Sequence, residues 1–385
     1  MSKPKKIFIS AGEVSGDRHG AALVKALKKI DPAFIFVGMG SEAMAQEGVR
    51  LVADLSPYST IGIIEPIAYA PVILRTYFKL KKVLIEEKPD LFIAIDYQGF
   101  HMMLLKYVKT LGIKTAYYIA PQEWQWGTEE GGRGVIKLVD KILAIFPQES
   151  QFYKKLGGHA PYVGHPILDI ASQTLSKETF CQQHGLDPDQ PILAIFPGSR
   201  PQELTHTAPV MLAAARLIQG QLPHVQLVLS IASGVYKARL MSMMQAAGLE
   251  GVKIVEGSSY NLIAHSTLSL CTSGTVTLEH AVLGTPCVVG YRFSPLSYWV
   301  LKTLFKKKVA RIKFMSLPNL LLDREVMPEF LQDLCTAENL SEKAIGLLQD
   351  TQAYIAIKIQ VQQVKELMGE PGVVERAAQE IASLL

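Results

Sequence analysis

A chain of 385 residues with 49% hydrophobic and 19% charged residues is long enough for two packed domains and too apolar to be disordered. Its net charge of +4 is mild, so where the basic residues cluster matters more than their sum. Four cysteines, Cys181, Cys271, Cys287 and Cys335, form no CxxC pair, which argues against a zinc site or a disulfide framework and suits a reducing cytoplasm. The apolar run after the basic start is too short for a signal peptide, and no stretch has the roughly 18 apolar residues of a spanning helix.

Lys6–Ser10 reads as a strand, Ala11–Asp17 as a glycine-bearing loop, and the next segment as a helix with Leu23, Ala26, Leu27 and Ile30 on one face. Strand, loop and helix in this order open a doubly wound domain. The loop is not GxGxxG, and by itself it reads as a plain βα turn. Further strands are predicted at Ile35–Val37, Leu91–Asp96, Lys114–Ile119 and Lys141–Phe146. Ligands of such sheets gather at the carboxyl ends of strands, where Glu13, Ser15, Asp96, Pro121, Gln122 and Glu123 fall. Asp96 closes a strongly apolar strand, either as a loop cap or as a catalytic base; its position favours the base. Ile61–Val83 is apolar without a clean period and turns basic at Arg75, Lys79, Lys81 and Lys82. It suits a core helix with a solvated end or a surface resting on anionic headgroups.

His159–Asp169, with two prolines and two glycines, reads as the crossing between domains. Ile192–Phe196 is then a strand running into Pro197, Gly198, Ser199 and Arg200, where a planar, permanently charged fork suits a diphosphate. Helices at Pro209–Gln221 and Tyr236–Ala247 alternate with strands at Val225–Ala232 and Val252–Glu256. Ser266–Tyr291 reads as strand, turn, helix, turn and strand. Ser273, Gly274 and Thr275 open its helix, and a helix N-terminus suits a phosphate. Glu279 shares a face with Thr275 and is suited to accept a sugar's vicinal hydroxyls. Phe293–Lys313 mixes aromatics with Lys302, Lys306, Lys307, Lys308, Arg311 and Lys313, which fits a partly buried helix, a membrane surface or a nucleic-acid patch. A turn bearing Asn319 follows. The tail from Glu338 is helical and breaks near Gly369–Gly372.

AGEVSGD at Ala11–Asp17, Ile95–Asp96, PGSR at Pro197–Arg200, TSGTVTLE at Thr272–Glu279 and SLPNLL at Ser316–Leu321 together resemble lipid-A-disaccharide synthases, in order and over nearly the whole chain. The resemblance implies an α/β GT-B glycosyltransferase with two Rossmann-like domains facing a cleft: residues 1–168 on the acceptor side and 169–351 for the UDP-sugar, with a C-terminal helix of about 352–385 returning to the first. It implies an inverting transfer from UDP-2,3-diacylglucosamine to 2,3-diacylglucosamine 1-phosphate (lipid X), with no metal, no cofactor and no nucleic acid. It also implies a cytoplasmic protein peripheral to the inner face of the inner membrane, with a homodimer left open. The catalytic set becomes Asp96, Glu13 and Arg200. The substrate and UDP contacts become Gly12, Ser15, Gly16, Gly198, Ser199, Arg200, Ser273, Gly274, Thr275, Glu279 and Asn319. Two loops depart from the family. Ala-Pro-Asp-Phe-Asn is replaced by Tyr97–His101, which loses an acid, and Ser-Pro-Ser-Val-Trp-Ala-Trp is replaced by Ala120–Trp126, which gains Glu123. The rival readings are another GT-B enzyme, such as a UDP-GlcNAc 2-epimerase or a different lipid glycosyltransferase, and a non-enzymatic lipid- or nucleic-acid-binding protein.

Overall fold

The computed structural model describes residues 4–58, 69–125, 127–232, 234–257, 259–304 and 313–385. The first part of Ile61–Val83 and the lysines at 306–308 lie outside the described residues. The chain forms two compact units. One takes the described residues up to Ile170 and resumes at Met368–Leu385; the other holds Ala171–Leu367.

The first unit contains β1 (Lys6–Ala11), β2 (Ile35–Met39), β3 (Arg50–Ala53), β4 (Leu91–Ile95), β5 (Lys114–Tyr118) and β6 (Lys141–Leu143). They pair in parallel in the order β3-β2-β1-β4-β5-β6. The second unit contains β7 (Ile192–Phe196), β8 (Gln226–Ile231), β9 (Lys253–Glu256), β10 (Leu268–Thr272), β11 (Cys287–Tyr291) and β12 (Glu329–Leu331), in the order β12-β11-β10-β7-β8-β9. Both sheets are doubly wound. β4 and β7 are apolar and buried from end to end, as a strand covered by helices on both faces must be. The short edge strands β3 and β12 are partly exposed and carry too little apolar pattern to be read from sequence.

The strand orders locate each unit's switch point, where the winding reverses and ligands collect. In the first unit it lies between β1 and β4, with Ala11 beside Ile95. In the second it lies between β7 and β10, with Phe196 beside Cys271.

His159–Asp169 is built into the first unit instead of linking two. Val163 N–H donates to Ala144 O at 2.9 Å, and Asp169 accepts from the amides of Gly372 and Val374 at 2.6 and 2.7 Å. Asp169 thereby caps the returning helix Val373–Ala382. Lys141, buried in β6, holds the far end of that helix through Glu380 and Ser383 at 2.7–2.8 Å. The return starts at Met368 and not near 352, because the helix Thr351–Leu367 belongs to the second unit. Asp169→Ala should lower the unfolding free energy by about 1.5–3 kcal/mol, the value of hydrogen bonds to a charged group. Urea denaturation reads this, and an unchanged midpoint would show that the cap contributes nothing.

Candidate active site

At the first switch point β1 runs into Gly12 and Glu13, and β4 into Asp96 and Tyr97. A side chain at Gly12 would place its Cβ 2.2 Å from the Tyr97 ring, so only glycine lets the two loops meet. Burial, and next the nearby Glu13 charge, push the Tyr97 phenol above its ordinary pKa. Ser15 and Gly16 lie in the first turn of the helix Val14–Ile30, Ser15 half-buried and Gly16 buried.

Asp96 and Tyr97 both adopt left-handed backbone, with φ of 50° and 51°. For residues other than glycine this costs about 1–2 kcal/mol each, so the surroundings must impose it. The Asp96 carbonyl accepts from Tyr117 Oη at 2.8 Å and from His101 Nδ1 at 2.6 Å. A carbonyl only accepts, so His101 Nδ1 carries the hydrogen and its Nε2 accepts from Ser10 Oγ at 2.9 Å. Burial lowers the His101 pKa to about 4, against the opposing pull of the Asp96 carbonyl. The imidazole is therefore neutral and held in one tautomer. The Asp96 amide donates to Tyr118 O at 3.2 Å. Ser10, His101, Tyr117 and Tyr118 thus hold the backbone of a half-buried carboxylate at a strand end.

The two loops that depart from the family meet here. Gln98 Nε2 donates to Glu123 Oε1 at 2.8 Å, and the Thr128 amide to Glu123 Oε2 at 3.3 Å. Trp126 lies outside the described residues. Further along the same sheet edge Glu149 is buried. One of its oxygens accepts from the amides of Ile145 and Phe146 at 2.7 and 3.4 Å. Burial, against those two bonds, raises its pKa to about 8. Nothing in the sequence singled out His101 or Glu149: one contacts Ser10 across most of the unit, and the other reads as an ordinary helix-start glutamate.

At the second switch point the loop Pro197–Arg200 wraps over Glu203, which is 1% exposed. Glu203 accepts from the amides of Ser199 and Arg200 at 2.8 and 3.2 Å and from Arg200 Nη1 at 3.0 Å. Gly198 is required twice, by its φ of 116° and because a Cβ would sit 2.5 Å from Glu203. The carboxylate three residues after Arg200 was a legible helix-start spacing, although sequence reasoning passed over it. Beside this loop β10 ends in Ser273 and Gly274, and the helix Thr275–Leu283 begins. No side chain caps that helix start, and no atom lies within 4 Å of where a Gly274 Cβ would be. The Thr277 amide turns back to Gly274 O at 3.1 Å, and a helix N-terminus that opens on free space is what an anion needs. Glu279 stands one turn in, half-buried.

Asn319 does not join this site. It is fully buried; its Nδ2 donates to Met327 O and Glu329 Oε2 at 2.8 and 3.0 Å, and its Oδ1 accepts from Val326 and Met327 at 2.7 and 2.8 Å. Two donors and two acceptor positions exhaust an amide, so Asn319 fixes residues 326–329 and has nothing left for a donor substrate.

Two doubly wound parallel units, each with its switch point at the carboxyl ends of its strands, define a protein of the GT-B fold class. The chain superposes on a UDP-GlcNAc 2-epimerase from Neisseria meningitidis bound to UDP-GlcNAc (TM-score 0.66, 13% identity, 98% of each chain) and on the UDP co-structure of S. aureus MnaA (TM-score 0.68, 14% identity, 99% of this chain and 98% of that one). At such identities the likeness shows the fold alone. The sequence decides the family: residues 7–383 match the lipid-A-disaccharide synthetase family, and the chain belongs to it. It is 38% identical to the lipid-A-disaccharide synthase of Gloeothece citriformis, over 98% of this chain and 99% of that one. It is 35% identical to that of Geobacter metallireducens, over 99% and 97%.

The buried groups of the first unit set its pH dependence. Burial lowers His19 and His101 to about 4 and His165 to about 3, so the unfolded chain takes up their protons first. Their contribution to stability is present above 6.5 and is lost as pH falls toward 4. Glu149 acts oppositely: its folded pKa is raised, so its contribution is full below 4.5 and lost as pH rises toward 8. Unfolding free energy measured by urea should therefore fall toward both ends of this window, and Glu149→Gln should remove the alkaline fall alone. A parent profile flat from pH 4 to 8 would contradict both assignments.

Proposed function

We propose that this protein joins UDP-2,3-diacylglucosamine to 2,3-diacylglucosamine 1-phosphate, forming the β-1,6-linked disaccharide 1-phosphate and UDP with inversion at the anomeric carbon. The observation that carries this reading is the family match along residues 7–383, supported by the anion-ready switch point of the second unit. Asp96 takes the proton of the acceptor 6-hydroxyl, whose oxygen attacks the anomeric carbon while the bond to UDP breaks and UDP leaves with the electron pair. General-base help of this kind is worth about 10²–10⁴ in rate. Arg200 and the amides at Ser273–Thr275 receive the diphosphate as its charge grows. Gly198 and Ser199 shape that loop, and Glu279 binds the ribose. Glu13, with Gly12, Ser15 and Gly16, lines the acceptor side of Asp96. Neutral His101 acts through the backbone, keeping the carboxylate where β4 delivers it.

The acyl chains of both substrates imply work at the cytoplasmic face of a membrane. Among the described residues no helix is long and apolar enough to cross one. The helix Ala70–Glu87 exposes Leu74, Phe78 and Ile85 at 48%, 62% and 52%, a spacing that shares one face, with Arg75, Lys79 and Lys82 also exposed. The helix Pro295–Leu304 exposes Leu296 and Trp299 at 56% and 62%. Exposed apolar groups interleaved with bases suit an anionic interface.

Asp96→Asn keeps shape and removes proton acceptance. Turnover should drop at least about a hundredfold with UDP affinity intact, and turnover within a few-fold of the parent would place the base elsewhere. Arg200→Ala should weaken UDP binding by about 1.5–3 kcal/mol, read by calorimetry; unchanged binding would move the diphosphate off this loop. Replacing Leu74 and Phe78 with serine should reduce binding to anionic vesicles, most clearly at low salt, without changing the unfolding midpoint. Equal vesicle binding by parent and variant would exclude this face.

A further inference from the structure

Linear spacing spoke against a metal site, but the fold of the second unit brings soft donors together. β10 and β11 are parallel neighbours with Ser269 opposite Cys287. Cys271 is therefore one diagonal step from Cys287 on the same face of the sheet. The helix Thr275–Leu283 carries His280 to them. The two sulfurs and a ring nitrogen of His280 all lie within 4.8 Å of one another, and Met327 Sδ is 3.2 Å from Cys287 Sγ. All four residues are fully buried.

The histidine is the telling group. Its Nδ1 lies 2.7 Å from Val276 O, and because that carbonyl only accepts, Nδ1 carries the hydrogen and Nε2 the lone pair. Nε2 is buried without a hydrogen-bond partner among the described residues, an arrangement that ordinarily costs about 1–3 kcal/mol. A backbone carbonyl fixing the far nitrogen is how metal-bound histidines are held. Asn319 grips the backbone of Met327 from both sides and so fixes the thioether against Cys287.

We infer that Cys271, His280, Cys287 and Met327 form a structural site for a borderline-soft divalent cation of the zinc class. Two thiols, an imidazole and a thioether select that class over magnesium or calcium. Charge selects the divalent ion over a monovalent one: two thiolates and two neutral donors around a 2+ centre give a neutral complex, which a dry interior tolerates. Binding replaces two S–H bonds with two metal–sulfur bonds and releases two protons to solvent. Bonds of about 2.3 Å to sulfur and 2.0–2.1 Å to nitrogen require the donors of Cys271, Cys287 and His280, within 4.8 Å of one another, to draw in, and Met327 Sδ, 3.2 Å from Cys287 Sγ, to move outward. The ion would tie β10 and β11 to the helix that carries Glu279.

The test is to refold the full chain from guanidinium with stoichiometric zinc chloride or, as a spectroscopic probe, cobalt chloride. After gel filtration, metal content and native mass are measured. The expected result is one ion per chain, two protons released per ion, and a thiolate-to-cobalt charge-transfer band. Cys271→Ala/Cys287→Ala should lose all three, while Cys181→Ala/Cys335→Ala keeps them. If the first double variant fails to fold, Met327→Leu, which conserves volume, should still shift the cobalt spectrum. Less than a tenth of an equivalent bound by the parent, equal binding by a folded Cys271→Ala/Cys287→Ala variant, or an unshifted cobalt spectrum in Met327→Leu overturns the assignment. So does a parent that carries a Cys271–Cys287 disulfide in place of the ion.

Discussion

Parallel pairing of every strand is the constraint on which the rest depends. A parallel strand needs a crossover to reach its neighbour, the crossovers are helices, and helices on both faces bury the central strands. Buried strands such as β4 and β7 can then hold no charge along their length, so polar chemistry is displaced to their ends. The reversal in winding leaves one gap per sheet where adjacent strand ends diverge. Asp96 stands at one such gap and Arg200 and Ser273 at the other, because these are the places in each unit where a polar group can be both fixed and reachable.

Fixing is achieved by different means at the two gaps. In the first unit the backbone is held in an unfavourable conformation by donors converging on one carbonyl oxygen, with a neutral histidine relaying the hydroxyl of Ser10. In the second, a buried glutamate gathers the amides of a loop and turns it around a glycine. Both devices use a buried group to fix the backbone of a more exposed one beside it. Gln98 and Glu123, on the two loops that differ from the family's pattern, are hydrogen-bonded to one another.

What could be read from the sequence follows from range. Strands β1, β4, β7 and β10 are apolar runs ended by small or polar residues, and the motif residues sit just past them, so fold class and strand ends were legible locally. The partner of His101 lies at Ser10, and the full occupation of the Asn319 amide depends on residues 326–329 folding back onto it; neither carries a periodic signal. Cys271, His280 and Cys287 look scattered along the chain and converge only through register. The boundary expected at 168/169 falls two residues from the observed break after Ile170, but the stretch before it is no linker. Prolines and glycines at 159–169 suggest a linker, yet Asp169 has a partner two hundred residues away at Gly372 and Val374.

That distant partnership bears on how the protein is made. The first unit is interrupted: its helix Val373–Ala382 leaves the ribosome only after the whole second unit has been synthesised. At about 5–20 residues per second the N-terminal sheet waits on the order of ten seconds or more with Lys141 and Asp169 lacking their eventual contacts. Completion of the first unit thus waits on synthesis of the second, so a nascent chain carries Asp96 on an unfinished scaffold until the helix Val373–Ala382 has emerged.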